Sequence, residues 1–205
     1  MAGFFRKKKS ESRESQASVK PEHSVQITTG PYDVADHPQQ EDLLDAGSLW
    51  IPVMPDASIQ FSVDHSKQKV YGIVYVIDDA AMQLQVFAAP RSTGIWNDVR
   101  RDMITSIAQQ GGSSIEVEGT FGTELHAQVP VPDTHQVAPH RFIGIDGPRW
   151  LLRITLYGRA GSDNQIADRM LRIARQLVVV RGNTPHPPRE LLELHVPQVE
   201  KQRGA

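Results

Sequence analysis

The chain has 205 residues, no cysteine and a formal net charge of −2 at pH 7. The lack of cysteine excludes disulfides, thiolate nucleophiles and cysteine-based zinc or iron–sulfur sites. A net charge this close to zero argues against a general binder of the nucleic-acid backbone. No apolar stretch reaches the roughly 18 residues that a membrane-spanning helix needs. The N-terminus also lacks the apolar region of a secretory signal, so we expect a soluble, cytoplasmic protein.

Composition divides the chain into three parts. Residues 1–38 are polar, first basic and then acidic, and hold too few apolar side chains to repay the entropy of ordering. We expect them to form a disordered N-terminal tail. Residues 39–182 are more apolar and are expected to fold as a single α+β domain. Residues 183–205 are rich in proline, which favours an extended C-terminal tail.

The first predicted elements are strands. Residues 41–47 have the composition of one helical turn that ends at a glycine. Alternating or continuous apolar residues then predict four strands on short loops, over residues 48–54, 58–64, 70–77 and 81–88. Pro52 favours an edge position for the first of these strands, because proline cannot donate a backbone hydrogen bond. The β-branched run 70–77 favours a central position.

An amphipathic helix follows the fourth strand. Ser92 or Thr93 offers a cap, Trp96 begins a stripe of apolar residues three and four apart, and Gly111-Gly112 ends the helix. Further strands are predicted over residues 115–118, 123–129, 140–145 and 149–157. The last helix begins near the cap pair Ser162-Asp163. The β-prone residues 178–180 follow this helix.

The order of these elements predicts the fold class. Strands and helices are segregated along the chain, which is typical of α+β proteins with an antiparallel sheet. We expect a largely antiparallel sheet of about six to eight strands. Both helices are expected to pack on one face of this sheet.

Three motifs carry a resemblance to a known family. They are FAAPRSTGIW at residues 87–96, EGTFGTE at residues 118–124 and GIDGPRW at residues 144–150. With these motifs the chain resembles an uncharacterised actinobacterial family that is known only as a domain of unknown function. The resemblance covers roughly residues 30–197. It implies a cytoplasmic protein with a basic start, and it implies no reaction, cofactor or catalytic residue.

Catalytic and metal-binding motifs are missing from the sequence. There is no Gly-x-Ser-x-Gly elbow and no glycine-rich phosphate loop. His135 and His140 lie in a proline-rich stretch and not at helical spacing, so we interpret them as loop histidines. The alternation of strands places Glu116 and Glu118 on one face of the sheet, which we expect to be the solvated face. We therefore predict no catalytic residue, no metal and no cofactor.

Four surfaces remain as candidates for binding. The turn at residues 91–94 (Arg91, Ser92, Thr93 and Gly94) precedes a helix, and helix amides beside an arginine can bind an anion. In the predicted hairpin, Arg149 and a partly exposed Trp150 offer a contact point for a partner. The last helix repeats arginine on its polar side, at Arg169, Arg172 and Arg175. This helix could dock an acidic partner or a nucleic-acid backbone, and a wider basic patch would add Arg153, Arg159 and Arg181.

The fourth surface is the basic arm, which consists of Arg6, Lys7, Lys8 and Lys9. It follows two phenylalanines, a combination that favours weak contact with an anionic surface, and the protein would then lie at a membrane periphery. We expect the chain to be a non-catalytic binding or scaffold module for a still unidentified protein partner. Two alternatives stay open. One is a small anionic-ligand binder or enzyme that uses the turn at residues 91–94. The other is weak association of the basic arm with nucleic acid or anionic membranes.

Overall fold

The computed structural model describes residues 30–39, 42–64, 66 and 69–198. The basic arm lies outside the described residues. The strands, in chain order, are β1 (Tyr32–Asp33), β2 (Leu43–Asp45), β3 (Leu49–Pro52), β4 (Ser58–Asp64), β5 (Lys69–Ile77), β6 (Ala80–Ala88), β7 (Ser113–Gly119), β8 (Gly122–Pro130), β9 (Val137–Gly147), β10 (Trp150–Gly158) and β11 (Val178–Val179). The α-helices are α1 (Trp96–Gln109), between β6 and β7, and α2 (Asn164–Ala174), between β10 and β11.

The strands of the described residues form two sheets. The large sheet has seven strands in the order β4-β5-β6-β10-β9-β8-β7, and every neighbouring pair in it is antiparallel. The small sheet has the order β1-β11-β3-β2, and only its β1–β11 pair is parallel. The prediction of an α+β protein with a largely antiparallel sheet is confirmed. Strand β10 lies at the centre of the large sheet.

The two helices contact different side chains of β10. Leu152 and Ile154 belong to the main apolar cluster with Met170 of α2. Leu151, which directly precedes Leu152 in sequence, belongs to a separate cluster with Trp96 of α1. Because successive side chains of a strand point to opposite faces, we name these faces of the large sheet the α2 face and the α1 face. The expectation that both helices pack on one face is not confirmed, since each face of β10 supplies apolar residues for one helix.

The α2 face carries the main core. It is closed by α2, by the small sheet and by a C-terminal segment that we define as residues 187–195. Leu192 and Leu194 of this segment are buried, and the backbone N–H of Leu192 donates to the carbonyl of Val86 at 2.8 Å. The segment thus runs beside β6 where β5 no longer pairs with it. This segment lies in the range expected to be the C-terminal tail, and β1 lies in the range expected to be the N-terminal tail. Parts of both expected tails therefore belong to the packed structure.

Two local predictions are wrong. The expected helical turn at residues 41–47 is not formed, because Leu43–Asp45 is strand β2 and pairs with β3. The expected edge position of Pro52 is also wrong, since β3 lies between β11 and β2. Pro52 is the last residue of β3 and pairs only with β2, because β11 reaches no further than Trp50, so its missing backbone donor faces no strand on that side. Across the part of the chain that the structure describes, every helix is too short or too polar to cross a membrane.

Candidate functional site

The three sequence motifs meet at the start of α1. Asp146 accepts hydrogen bonds from the backbone N–H groups of Ile95, at 2.8 Å, and Trp96, at 3.2 Å. The indole Nε1 of Trp96 donates to the backbone carbonyl of Thr123 at 2.8 Å. A Cβ at Gly144 would lie 2.1 Å from the Trp96 ring, so only glycine leaves room for the indole. These contacts fix the start of α1 above β8 and β9.

This arrangement bears on the turn at residues 91–94, which is exposed. The prediction that Ser92 or Thr93 caps α1 is wrong, because the N-cap residue is Ile95 and it offers no side-chain cap. The carboxylate of Asp146 caps the helix from β9. An incoming anion would meet this negative charge where the helix amides point. Anion binding at the turn stays a prediction, and the structure adds nothing in its favour.

The hairpin between β9 and β10 also differs from its prediction. Trp150 is only 2% exposed, which corrects the expectation of a partly exposed ring. Its Nε1 donates to the carboxylate of Asp33 at 2.6 Å and so ties β10 to β1. Arg149 precedes it in a left-handed conformation, with φ at 67°. Of this pair, only the half-buried Arg149 can contribute to a surface.

The arginines of α2 do not join Arg153 in one basic patch. Arg169 forms an ion pair with Asp56, whereas Arg172 and Arg175 are exposed. Arg153 alternates with Leu152 and Ile154 along β10, so it lies on the α1 face, on the other side of the sheet. Docking of an acidic partner on α2 stays a prediction.

A stripe of paired side chains crosses the α1 face along β6 and β10. The register pairs Leu151 with Phe87, Arg153 with Gln85, and Thr155 with Gln83. We call these three pairs the stripe. Along the stripe the pairs are first apolar, then cationic, then polar. Because alternate residues lie about 7 Å apart along a strand, the three pairs span about 14 Å. Helix α1 packs over the apolar end.

An apolar cavity lies between α1 and the apolar end of the stripe. Its volume is about 300 Å³. Its apolar lining consists of Phe87, Ile95, Val99, Met103 and Leu151. On its rim, Arg189 of the C-terminal segment forms an ion pair with Asp102 of α1 at 2.6 Å. Arg153 also lines this cavity, so a cation meets an otherwise largely apolar space.

The environment of Arg153 leaves its charge without a counterion. One terminal nitrogen, Nη2, donates to the side-chain carbonyl of Gln85, and the guanidinium lies 4.9 Å from the ring centroid of Phe87. Its Nε is buried and has no hydrogen-bond partner among the described residues. Burial lowers the pKa of this guanidinium, although arginine keeps its proton at physiological pH. Within the described residues no carboxylate pairs with it, and an unneutralised cation is expensive to bury.

A second, polar cavity adjoins Arg153 on its other side. Its volume is about 370 Å³, and Gln83, Thr155, Tyr157 and His140 line it. The His140 ring stacks against the ring of Tyr157 with centroids 5.8 Å apart. His140 lies in strand β9, which corrects its interpretation as a loop histidine. Burial, followed by the nearby Tyr71, raises the pKa of Tyr157, which keeps its phenol a hydrogen-bond donor.

A separate polar cluster lies on the α2 face at the β8 end of the sheet. Glu124 is 2% exposed and accepts hydrogen bonds from Arg141 at 2.7 Å. The ring nitrogen Nε2 of His126 lies 2.6 Å from the same carboxylate oxygen. Arg141 also donates to the side-chain oxygen of Asn164 at 3.1 Å. This cation has a carboxylate partner within the protein, which gives the cluster a structural role.

Sequence reasoning named Arg153 only as part of a wider basic patch with the arginines of α2 and missed its place beside the cavity, although part of the signal was visible. Polar residues at every second position interrupt the apolar strands β6 and β10. What the pattern does not reveal is that the two interruptions are paired, because Gln85 and Arg153 are 68 positions apart.

Within the described residues, no group of three or more His, Cys, Asp or Glu side chains is arranged to hold a metal ion.

Comparison with known proteins gives one match. The model of a family described as "Protein of unknown function (DUF3710)" matches residues 30–203. All three motifs lie within this range, so the resemblance to a family known only as a domain of unknown function is confirmed. No curated protein and no solved structure matches the chain.

Proposed function

The chain belongs to this DUF3710 family of unknown function, and from its geometry we propose that it is a non-catalytic binding module for a small anion with an apolar body. The apolar body would fill the cavity beneath α1, and the anionic group would lie on Arg153. This proposal keeps the anionic-ligand alternative that the sequence left open. It moves the site from the turn at residues 91–94 to the α1 face of the sheet.

The observation that carries the proposal is the half-buried guanidinium of Arg153, which lines an apolar cavity and has no carboxylate partner among the described residues. A guanidinium with a free donor prefers a carboxylate or phosphate oxygen to any neutral partner. Ligand sites are commonly apolar concavities with a few well-placed polar groups that fix orientation. The second arginine on the rim, Arg189, already has Asp102 as its partner, so Arg153 is the group left for the ligand.

Binding to a protein partner, the reading that the sequence favoured, stays a prediction. The stripe supports a small ligand better, because its apolar part lies under α1 in a cavity of about 300 Å³ and not on an open flat surface. A partner would have to insert a side chain there.

Octanoate is a suitable first probe because it combines a carboxylate with a short alkyl chain. Its affinity would be measured by isothermal titration calorimetry for the full-length chain, for Arg153→Gln and for Arg169→Gln. The Arg169→Gln variant makes the same substitution on the α2 face. We expect Arg153→Gln to weaken binding about tenfold or more, the effect of one charged hydrogen bond, and Arg169→Gln to leave it unchanged.

Two controls make the result decisive. Octanamide carries the same chain without the charge, so its affinity should be the same for Arg153→Gln and the unaltered protein. Thermal unfolding of each variant shows whether it is folded. Octanoate affinity that is undetectable, or equal in the Arg153→Gln variant and the unaltered protein, would overturn the proposed function.

A further inference from the structure

We infer that the ligand carries its anionic group between an apolar tail and a polar head, as an alkyl phosphodiester does, and not at the end of the molecule. The inference rests on the proposed function and makes its ligand class specific. It follows from the order of side chains along the stripe, where the cation lies in the middle.

The apolar end of the stripe accepts only a tail. Phe87 and Leu151 form its floor, and Val99 and Met103 of α1 form its roof. Leu151 is completely buried and Phe87 is half-buried. Methionine adapts to ligands of different shape, which suits an alkyl chain. Three polar residues of the rim also line this cavity, but Arg189 and Asp102 pair with each other and Ser106 accepts a hydrogen bond from Gln110. A charged or hydroxylated head placed between the apolar side chains would therefore lose more hydration than these groups restore.

The other end of the stripe offers free polar groups. No described residue is hydrogen-bonded to the side chain of Gln83, to the hydroxyl of Thr155 or to that of Tyr157, and all three line the polar cavity. Thr155 and its partner Gln83 lie one same-face step, about 7 Å, beyond the cation and away from the apolar cavity, and Tyr157 lies one step further. A ligand that ends at its anionic group would leave these groups to water. A ligand that continues past the anion could hydrogen-bond to them.

The chemistry of an internal anion narrows the class. A carboxylate ends its chain, and so does a phosphate monoester. A phosphodiester joins two organic groups and keeps a single negative charge, which matches the single cation of the stripe. Its oxygens are good acceptors for a guanidinium. Hydroxyl groups of the head, such as those of glycerol, would pair with the amide and hydroxyl side chains of the polar cavity.

The test compares three probes that share an octyl chain: octanoate, octyl phosphate and the octyl phosphodiester of glycerol. Each is titrated calorimetrically, as a monomer, into the full-length protein and into the variants Thr155→Val and Thr105→Val. Thr105 is an exposed residue of α1, and its substitution is the matched control. We expect the diester to bind about tenfold more tightly than the other two probes, because its head adds hydrogen bonds.

The Thr155→Val variant should lose most of the advantage of the diester while its affinity for octanoate is unchanged. Thr105→Val should change neither. If octanoate binds through Arg153 but the diester gains nothing, or keeps its advantage in Thr155→Val, the inference fails and the proposed function stands. If the affinity of every probe is the same for Arg153→Gln and the unaltered protein, the inference and the proposed function both fail.

A last arm separates a free ligand from a membrane lipid of the same chemistry. Phosphatidylglycerol vesicles and phosphatidylcholine vesicles are each sedimented with the full-length protein. Tight binding of the monomeric diester supports the inference whether or not the vesicles carry the protein down. Sedimentation with phosphatidylglycerol vesicles and no binding of the monomeric diester would overturn it, since the stripe would then not be the site of recognition.

Discussion

Glu124 is the buried acid whose removal should affect stability most. Its carboxylate accepts from the buried Arg141 and lies 2.6 Å from His126. In Glu124→Gln the arginine stays buried without its counterion, and breaking such a pair on one side destabilises a protein by about 3–5 kcal/mol. Urea unfolding followed by circular dichroism would measure this loss. Glu118→Gln, an exposed acid on the neighbouring strand, should change the free energy of unfolding by less than about 0.5 kcal/mol.

A small effect of Glu124→Gln would mean that water, and not the carboxylate, solvates Arg141. The cluster also shows a limit of sequence reasoning. Glu124 and His126 are two residues apart on one strand, so a shared face is predictable from the period of a strand. Burial of Glu124 is not predictable, because it depends on Arg141 of β9 and Asn164 of α2, which the fold brings there.

At the scale of elements, the two helices differ in how they are capped. Asp163 caps α2 from the adjacent position, and the sequence predicts this cap correctly because the contact is local. Asp146 caps α1 from 51 residues away, so no local pattern could reveal it. The sequence instead offers Ser92 and Thr93, which precede the helix but do not cap it. Local signals therefore predict where helices form more reliably than they predict what holds their ends.

The α2 cap predicts a pH dependence of stability. Hydrogen bonds from the backbone N–H groups of Ile166 and Gln165, and the nearby Arg159, lower the pKa of Asp163 below its ordinary value of 3.8. Because folding lowers this pKa, the ionised carboxylate stabilises the native state above pH 3.8, and the stabilisation is lost as the pH falls through the folded pKa. The urea midpoint of Asp163→Asn should therefore lie below that of the unaltered chain at neutral pH.

This difference should narrow steadily as the pH is lowered through 3.8. Asp168→Asn, an exposed acid on the same helix, provides the control and should follow the unaltered chain. A gap between Asp163→Asn and the unaltered chain that stays constant with pH would mean that the charge of Asp163 contributes nothing to the cap.

At the scale of the whole molecule, the two ends of the chain should behave differently. Among the described residues, the buried residues of the main core run from Ala46 to Leu194. Residues 1–29 hold few apolar side chains, so their removal should change the free energy of unfolding by less than about 0.5 kcal/mol. Ending the chain at residue 186 removes the buried Leu192 and Leu194. This should lower the free energy of unfolding by several kcal/mol, since each buried leucine contributes about 2–5 kcal/mol. Urea titrations of both shortened chains would check this. A large loss on removing residues 1–29 would contradict it.

The overall architecture could be predicted only in part. Runs of alternating residues were enough to locate the strands of the large sheet and both helices, because these signals are local. The short strands β1 and β2 were beyond reach, since two or three residues carry no period, whereas the β-prone residues 178–180 indicated β11. The placement of α1 and α2 on opposite faces also escaped prediction. Both sides of β10 are apolar near Leu151 and Leu152, so the pattern does not say which side each helix takes.

Strand β10 carries the main core on one side and the proposed site on the other, and this arrangement would constrain how the protein can evolve. Substitutions at Leu151, Arg153 and Thr155 would alter the proposed site while the core formed by Leu152 and Ile154 stays intact. Ligand preference can therefore change by point substitution without a change of fold. Insertion or deletion of one residue within β10 would exchange the two sides and place Arg153 in the core. Among related chains, β10 should therefore vary in residue type on the α1 face but hardly at all in length.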